Sequence, residues 1–163
     1  MKMNGIIIYD TSHGNTKKIA ETISETLKNF GVESDLFKVN EVKKLNAEDY
    51  DFLVLGSPTK FGTMSFAVKG FLGKIKNEEW INKPFAAFDT ENPENVEQSR
   101  IQNKEWSAAE KIAIKLKEKN MKQLLLVHKA LVLGQKGPLV EGEIDRVKIY
   151  AMQLATILKE EKA

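Results

Sequence analysis

An apolar run that ends abruptly in small polar residues, Ile6 to Thr16 (I-I-I-Y-D-T-S-H-G-N-T), constrains this chain more than any other stretch. Ile6, Ile7, Ile8 and Tyr9 follow one another without a polar break, the pattern of a strand covered on both faces of a sheet. Directly after it, Thr11, Ser12, Gly14, Asn15 and Thr16 put three hydroxyls, an amide and a glycine into six positions. Ile19, Ile23, Leu27 and Phe30 then recur at helical spacing, and Gly31 ends the helix. The first N–H groups of a helix have no partner within it and carry partial positive charge. A strand that turns through small hydroxyl residues into a helix start therefore suits a phosphate. The plainer alternative is a strand-turn-helix unit whose Ser, Thr and Asn residues only cap the helix.

The kind of phosphate site is narrowed by what does not follow the strand. Neither G-x-x-x-x-G-K-[ST] of nucleoside-triphosphate loops nor G-x-G-x-x-G of dinucleotide folds is present there. The pattern of strand and polar loop instead recurs. Val32 to Val39 reads as a strand nearer an edge, broken by Glu33, Asp35 and Lys38, and Asn40 caps a short turn with Val42 and Leu45. Asp51 to Gly56 is a second unbroken apolar strand, which ends in Ser57, Pro58, Thr59, Lys60, Phe61, Gly62 and Thr63. Ser65 caps the next helix, with Val68, Phe71, Leu72 and Ile75 on its buried stripe. Pro84 to Phe88 forms a fourth strand, and Asp89, Thr90, Glu91, Asn92 and Pro93 form a third polar loop. Trp106, Ala109, Ile112, Ala113 and Leu116 mark a helix that starts near Glu105. Leu124 to Val127 and Ala130 to Leu133 read as one fifth strand with a polar break at His128 and Lys129. Gly134 to Pro138 turns the chain into a last helix lined by Ile144, Val147, Ala151, Leu154 and Leu158.

Strands that alternate with helices imply a parallel sheet with helices on both faces, and the 163 residues are read as one domain. Thr/Ser-x-x-Gly-x-Thr after the first strand, G-S-P-T at Gly56 to Thr59, a polar loop after the fourth strand and K-G-P-L at Lys136 to Leu139 together resemble short-chain flavodoxins over essentially the whole length. The resemblance implies an α/β three-layer sandwich with a five-stranded parallel sheet of order 2-1-3-4-5, the order for which flavodoxin is itself the standard example. It implies FMN as cofactor, its phosphate held by Thr11, Ser12, His13, Gly14, Asn15 and Thr16, with the hydroxyls of Thr11, Ser12 and Thr16 donating and Lys17 at the rim. Ser57, Pro58, Thr59, Lys60, Phe61 and Gly62 would border the isoalloxazine ring, with Phe61 stacking and the Gly62 backbone able to reorient beside N5. Asp89, Thr90, Glu91 and Asn92, in a loop reaching Glu97, would approach the pyrimidine end through backbone N–H groups. Glu91 either faces the ring, where it would oppose a developing anion, or faces water. Residues 89 to 105 contain no aromatic to stack on the ring from that side. Trp80, Trp106, Phe71 and Phe88 read as core, and Tyr150 as structural.

Composition removes several chemistries. Without cysteine there is no disulfide, thiolate nucleophile or iron-sulfur ligand, so redox work needs a bound cofactor. His13 and His128 are the only histidines, too few for a multi-histidine metal site, and no catalytic side chains or metal ligands are assigned. The 25 basic and 23 acidic residues are interspersed at helical spacing, which argues against nucleic-acid binding. No apolar run nears the roughly 20 residues of a membrane span, and the expectation is a cytoplasmic protein, monomeric or weakly dimeric. The function expected is a low-potential FMN protein that shuttles electrons between redox protein donors and acceptors. The alternatives are an FMN-dependent reductase or oxidase acting on a quinone, a porphyrinogen or NAD(P)H, and a flavodoxin-fold domain that binds no flavin and serves in protein interaction.

Overall fold

The computed structural model describes residues 2–102 and 104–162. The sheet runs β2-β1-β3-β4-β5, every neighbour parallel, which is the expected order. Its strands are β1 (Asn4–Tyr9), β2 (Glu33–Lys38), β3 (Phe52–Pro58), β4 (Pro84–Glu91), β5 (Lys122–Gln123) and β6 (His128–Leu131). The helices are α1 (Asn15–Asn29), α2 (Phe66–Leu72), α3 (Asn77–Trp80), α4 (Pro93–Gln102), α5 (Ala108–Glu118) and α6 (Glu143–Lys162). Among the described residues no helix is long and apolar enough to cross a membrane.

The unbroken apolar strands are explained by two separate cores. Successive side chains of a strand point to opposite faces. Ile7, Val54, Ala86 and Phe88 accordingly pack with Ile19, Ile23 and Leu27 of α1 and Val147, Ala151, Leu154 and Leu158 of α6. Ile6, Ile8, Leu53, Leu55, Phe85 and Ala87 pack with Val68 and Phe71 of α2, Trp80, and Ile112 and Leu116 of α5. Two strand glycines are needed for this packing. A Cβ on Gly5 would fall 2.1 Å from the ring of Phe52, and one on Gly56 would fall 2.0 Å from the ring of Phe88. Each aromatic ring lies flat over the glycine paired with it across the ladder.

Several boundaries differ from the sequence reading, among them that of β3, which runs on through Ser57 and Pro58 where a loop was expected. The fifth strand is broken at Leu124 to Val127, not at His128 and Lys129; β5 and β6 both pair β4, with Phe88 opposite His128. The fourth strand runs on through Asp89, Thr90 and Glu91, so these are strand residues and not loop. Pro93, suited to a first helical position because it has no N–H to lose, opens α4 where a loop was expected. Trp106 lies outside the helix, because Ser107 is the cap: its Oγ accepts the Glu110 N–H at 3.3 Å. In addition, the turn after β2 begins at Val39 rather than after Asn40, and Phe30 is 40% exposed rather than buried.

Candidate functional site

The carboxyl ends of β1, β3 and β4 surround one cleft of about 430 Å³. On the β1 side, the Asp10 N–H donates to the Gly56 carbonyl at 3.1 Å and the Thr11 N–H to Asp10 Oδ1 at 2.9 Å, which turns the chain upward. Gly14 takes φ +91°, a conformation that L side chains avoid, and donates its N–H to Thr11 Oγ1 at 2.9 Å. α1 begins at the next residue with no side-chain cap. Among the described residues, the backbone N–H groups of Ser12, His13, Asn15 and Thr16 find no acceptor. Lys60 reaches across to donate to Ser12 Oγ at 2.9 Å, the Thr16 and Thr90 hydroxyls meet at 2.7 Å, and Asn15 Nδ2 donates to the Lys136 carbonyl at 3.0 Å. Four unpartnered N–H groups, short hydroxyls and one ammonium form a donor set that fits a phosphate dianion.

The β3 side is fastened differently. Ser57 Oγ donates to the Pro58 carbonyl and accepts the Ser65 N–H, both at 2.9 Å. Lys60 and Thr63 exchange backbone hydrogen bonds of 3.0 and 3.1 Å across a tight turn. At its tip Phe61 (φ +52°) and Gly62 (φ +73°) both take the left-handed region. Trp106 holds this tip: its Nε1–H donates to the Phe61 carbonyl at 2.9 Å, and a Cβ on Gly62 would fall 1.3 Å from its ring. Trp106 is therefore not core but a cover on the Gly62 peptide. The Phe61 side chain stands 96% exposed at the mouth of the cleft.

On β4, alternation sends Thr90 toward α1, while Asp89 and Glu91 face α5. Glu91 is 2% exposed, so it does not face bulk water; it lines the cleft and accepts from Thr59 Oγ1 and Asn95 Nδ2, each at 3.3 Å. Asp89 lies wholly buried behind it, with Oδ2 accepting the Ala109 N–H at 3.0 Å and Oδ1 without a donor among the described residues. Burial and the neighbouring Glu91 carboxylate push the Asp89 carboxyl well above the ordinary carboxylate range, against the opposing pull of the Ala109 N–H and the Lys129 ammonium.

Of the residues singled out in sequence, Thr11, Ser12, His13, Asn15, Thr16, Pro58, Thr59, Lys60, Phe61, Thr90, Glu91 and Asn92 line the cleft together. Gly14, Ser57, Gly62 and Asp89 stand behind its wall and shape it. Val132, Gly134 and Gln135, after β6, also line it and were not singled out. The turn signal Gly134 to Pro138 placed that loop correctly but carried no sign of which strand ends it would approach. Trp106 had a signal: Ser107-x-x-Glu110 is a helix-capping pattern, and it puts Trp106 ahead of the helix.

A family model described as flavodoxin domain matches residues 6–131, from β1 to the end of β6. Over 76 residues the chain is 38% identical to the flavodoxin of Aquifex aeolicus, covering 46% of this chain and 41% of that protein. Over 72 residues it is 29% identical to the protoporphyrinogen IX dehydrogenase [quinone] of Escherichia coli, covering 44% of this chain and 40% of that protein. The chain thus matches about two fifths of the length of these curated relatives. A solved flavodoxin from the domain Archaea superposes with a TM-score of 0.77 at 22% identity, over 96% of this chain and 99% of the other, which is a likeness of fold. With the strand order β2-β1-β3-β4-β5 and a family match that runs from the first strand through the last, this chain belongs to the flavodoxin domain family.

Proposed function

We propose that the cleft binds FMN and that the protein carries electrons between redox proteins. The observation that carries this reading is the start of α1, where four N–H groups without acceptors converge with the Thr11 and Ser12 hydroxyls at the carboxyl edge of the sheet. FMN supplies one- and two-electron chemistry when bound; the chain's own residues bind, orient and shield it. Thr11, Ser12, His13, Asn15 and Thr16 would hold the phosphate. Pro58 to Phe61 and Thr90 to Asn92 would border the ring, with Phe61 as the stacking side chain. No side chain here needs to act as acid, base or nucleophile for electron transfer itself, which agrees with a carrier. Residues 1–163 are read as one such domain.

The test is titration of flavin-stripped protein with FMN and with riboflavin, followed by flavin fluorescence. Stoichiometric quenching by FMN with much weaker quenching by riboflavin is expected. No quenching by FMN at micromolar concentration overturns the reading and leaves the domain to protein interaction or another phosphate compound.

A second reading, an FMN-dependent oxidoreductase acting on a quinone, porphyrinogen or NAD(P)H, is favoured by one observation. Phe61 is the only aromatic lining the cleft among the described residues, so the β4 side offers no ring to cover a flavin. The partial match to the dehydrogenase of Escherichia coli points the same way. Steady turnover of NAD(P)H with a quinone by the purified protein supports the enzyme, and exchange only with protein donors supports the carrier.

A further inference from the structure

The buried pair Asp89 and Glu91 is used by neither the phosphate site nor the ring stack. The two residues are two positions apart on β4, so both point to the α5 face, and both are buried there, Asp89 wholly and Glu91 at 2% exposed. Two carboxylates side by side on one strand face cannot both stay charged with neither exposed to bulk water. Charged and titratable groups face the pair from each packed element: Lys129 on β6, Glu110 on α5, which pairs with Lys129, and across the cleft Lys60 and His13. β3 presents only the uncharged Ser57 and Thr59, and α4 only the Asn95 amide. Every hydrogen-bond donor on Asp89 is on Oδ2; Oδ1 has none, so it is the oxygen that can carry a proton toward Glu91.

We propose that Asp89 is a protonated carboxylic acid at neutral pH, donating to the Glu91 carboxylate, and that this proton lets the cleft wall lose its negative charge when a bound ligand gains one. The second half rests on the flavin reading of the cleft. When an electron donor protein reduces the bound ligand and negative charge develops on it, the Asp89 Oδ1–H bond breaks and an O–H bond forms on Glu91. The charge then sits on Asp89, farther from the cleft, beside the Ala109 N–H and the Lys129 ammonium. No proton enters or leaves, and the electrons come wholly from the donor protein. Asp89 is thus a positioning residue that acts through Glu91.

Two measurements test this separately from FMN binding. In flavin-free protein with ¹³C-labelled carboxyl groups, assigned with Asp89→Asn, the Asp89 carboxyl carbon is expected to keep its protonated chemical shift beyond pH 7; a titration near pH 4 overturns the proposal whatever the cleft binds. In FMN-loaded protein, Asp89→Asn keeps the shape and the hydrogen bond to Glu91 but has no proton to transfer. At a fixed donor potential its ratio of reduced to oxidised ligand should fall by about 10-fold or more, because the wall stays charged. In the Glu91→Gln background the same change should have no effect. A fall of equal size in both backgrounds overturns the transfer step, while failure of FMN to bind overturns the flavin reading and leaves the carboxyl titration standing as the test of the pair.

Discussion

Two helices begin at the carboxyl edge of the sheet, α1 after β1 and α5 near β4, and they treat their first N–H groups in opposite ways. At α5 each one has a named protein acceptor: the Ala108 N–H goes to Thr59 Oγ1 at 2.9 Å, Ala109 to Asp89 Oδ2 at 3.0 Å and Glu110 to Ser107 Oγ at 3.3 Å. At α1 the N–H groups of Asn15 and Thr16 meet no acceptor among the described residues, and the cap is a glycine with no side chain to offer. Both ends carry the same partial positive charge. One uses it to join β3, β4 and α5, while the other leaves it without a protein acceptor. A helix start is a binding site only where the fold withholds acceptors from it, and that is a property of the neighbours, not of the helix.

The sharpest way to separate the two ends is the same substitution on the loop beside each. Gly62→Ala, at φ +73° with its new Cβ driven into the Trp106 ring, should cost about 3 kcal/mol in urea unfolding. Gly14→Ala, at φ +91° with nothing within 4 Å of the new Cβ, should cost only about 1 kcal/mol. Equal costs would show that Trp106 does not fasten the second loop.

Ser12→Glu places a carboxylate among the unpartnered N–H groups at an exposed position. It should weaken FMN binding about 100-fold, as expected for like charges held close at a partly screened surface, and leave riboflavin binding and stability nearly unchanged. An equal loss for both flavins would mean that the loop does not read the phosphate.

Acid should strike the face of the sheet covered by α1 and α6 first. His128 on β6 lies opposite Phe88, with its ring 4.9 Å from that of Tyr150 and Nε2 without a partner among the described residues. Burial, aided by Arg146, lowers its pKa from 6.5 to about 4. The unfolded chain therefore takes up this proton first as pH falls, so stability is lost from about pH 6.5 downward and the loss levels off near pH 4. Asp89 works in the other sense: its raised pKa penalises the fold as pH rises above 3.8. The histidine contribution is thus read as the difference between the native protein and His128→Leu, and should reach about 3 kcal/mol by pH 4. Parallel pH curves for the two proteins would remove His128 from the account.

The smallest effect is expected from Thr59→Val, which deprives the Ala108 N–H of its acceptor and Glu91 of a donor. A loss of about 1 kcal/mol is expected, with FMN affinity nearly unaltered because the phosphate side is untouched. A large loss of affinity with no loss of stability would instead place the α5 start in ligand binding.

How much of this was legible depended on range. The run Ile6 to Thr16 is local: strand, turn and helix start are neighbours in sequence, so composition alone located the unpartnered N–H groups. The end of β4 was hidden because Asp89 and Glu91 look like loop residues. Only the period-two continuation Phe85, Ala87, Asp89, Glu91 hinted that the strand ran on, and burying two carboxyl groups runs against ordinary expectation unless a proton and the α5 N–H groups are there to receive them.

The sequence by itself determined the alternation of strands and helices, the two-sided burial of β1, β3 and β4, and the strand-turn-helix start over Ile6 to Thr16, because each rests on residues within one or two turns of one another. Only the tertiary structure decided that Trp106 would close over Gly62, 44 positions away in sequence, that Asp89 and Glu91 would share a buried face with Lys129, and that Val132 to Gln135 would complete the cleft. Those outcomes depend on which strand ends the parallel sheet brings side by side, and a parallel sheet sets that only through crossovers that no local pattern encodes.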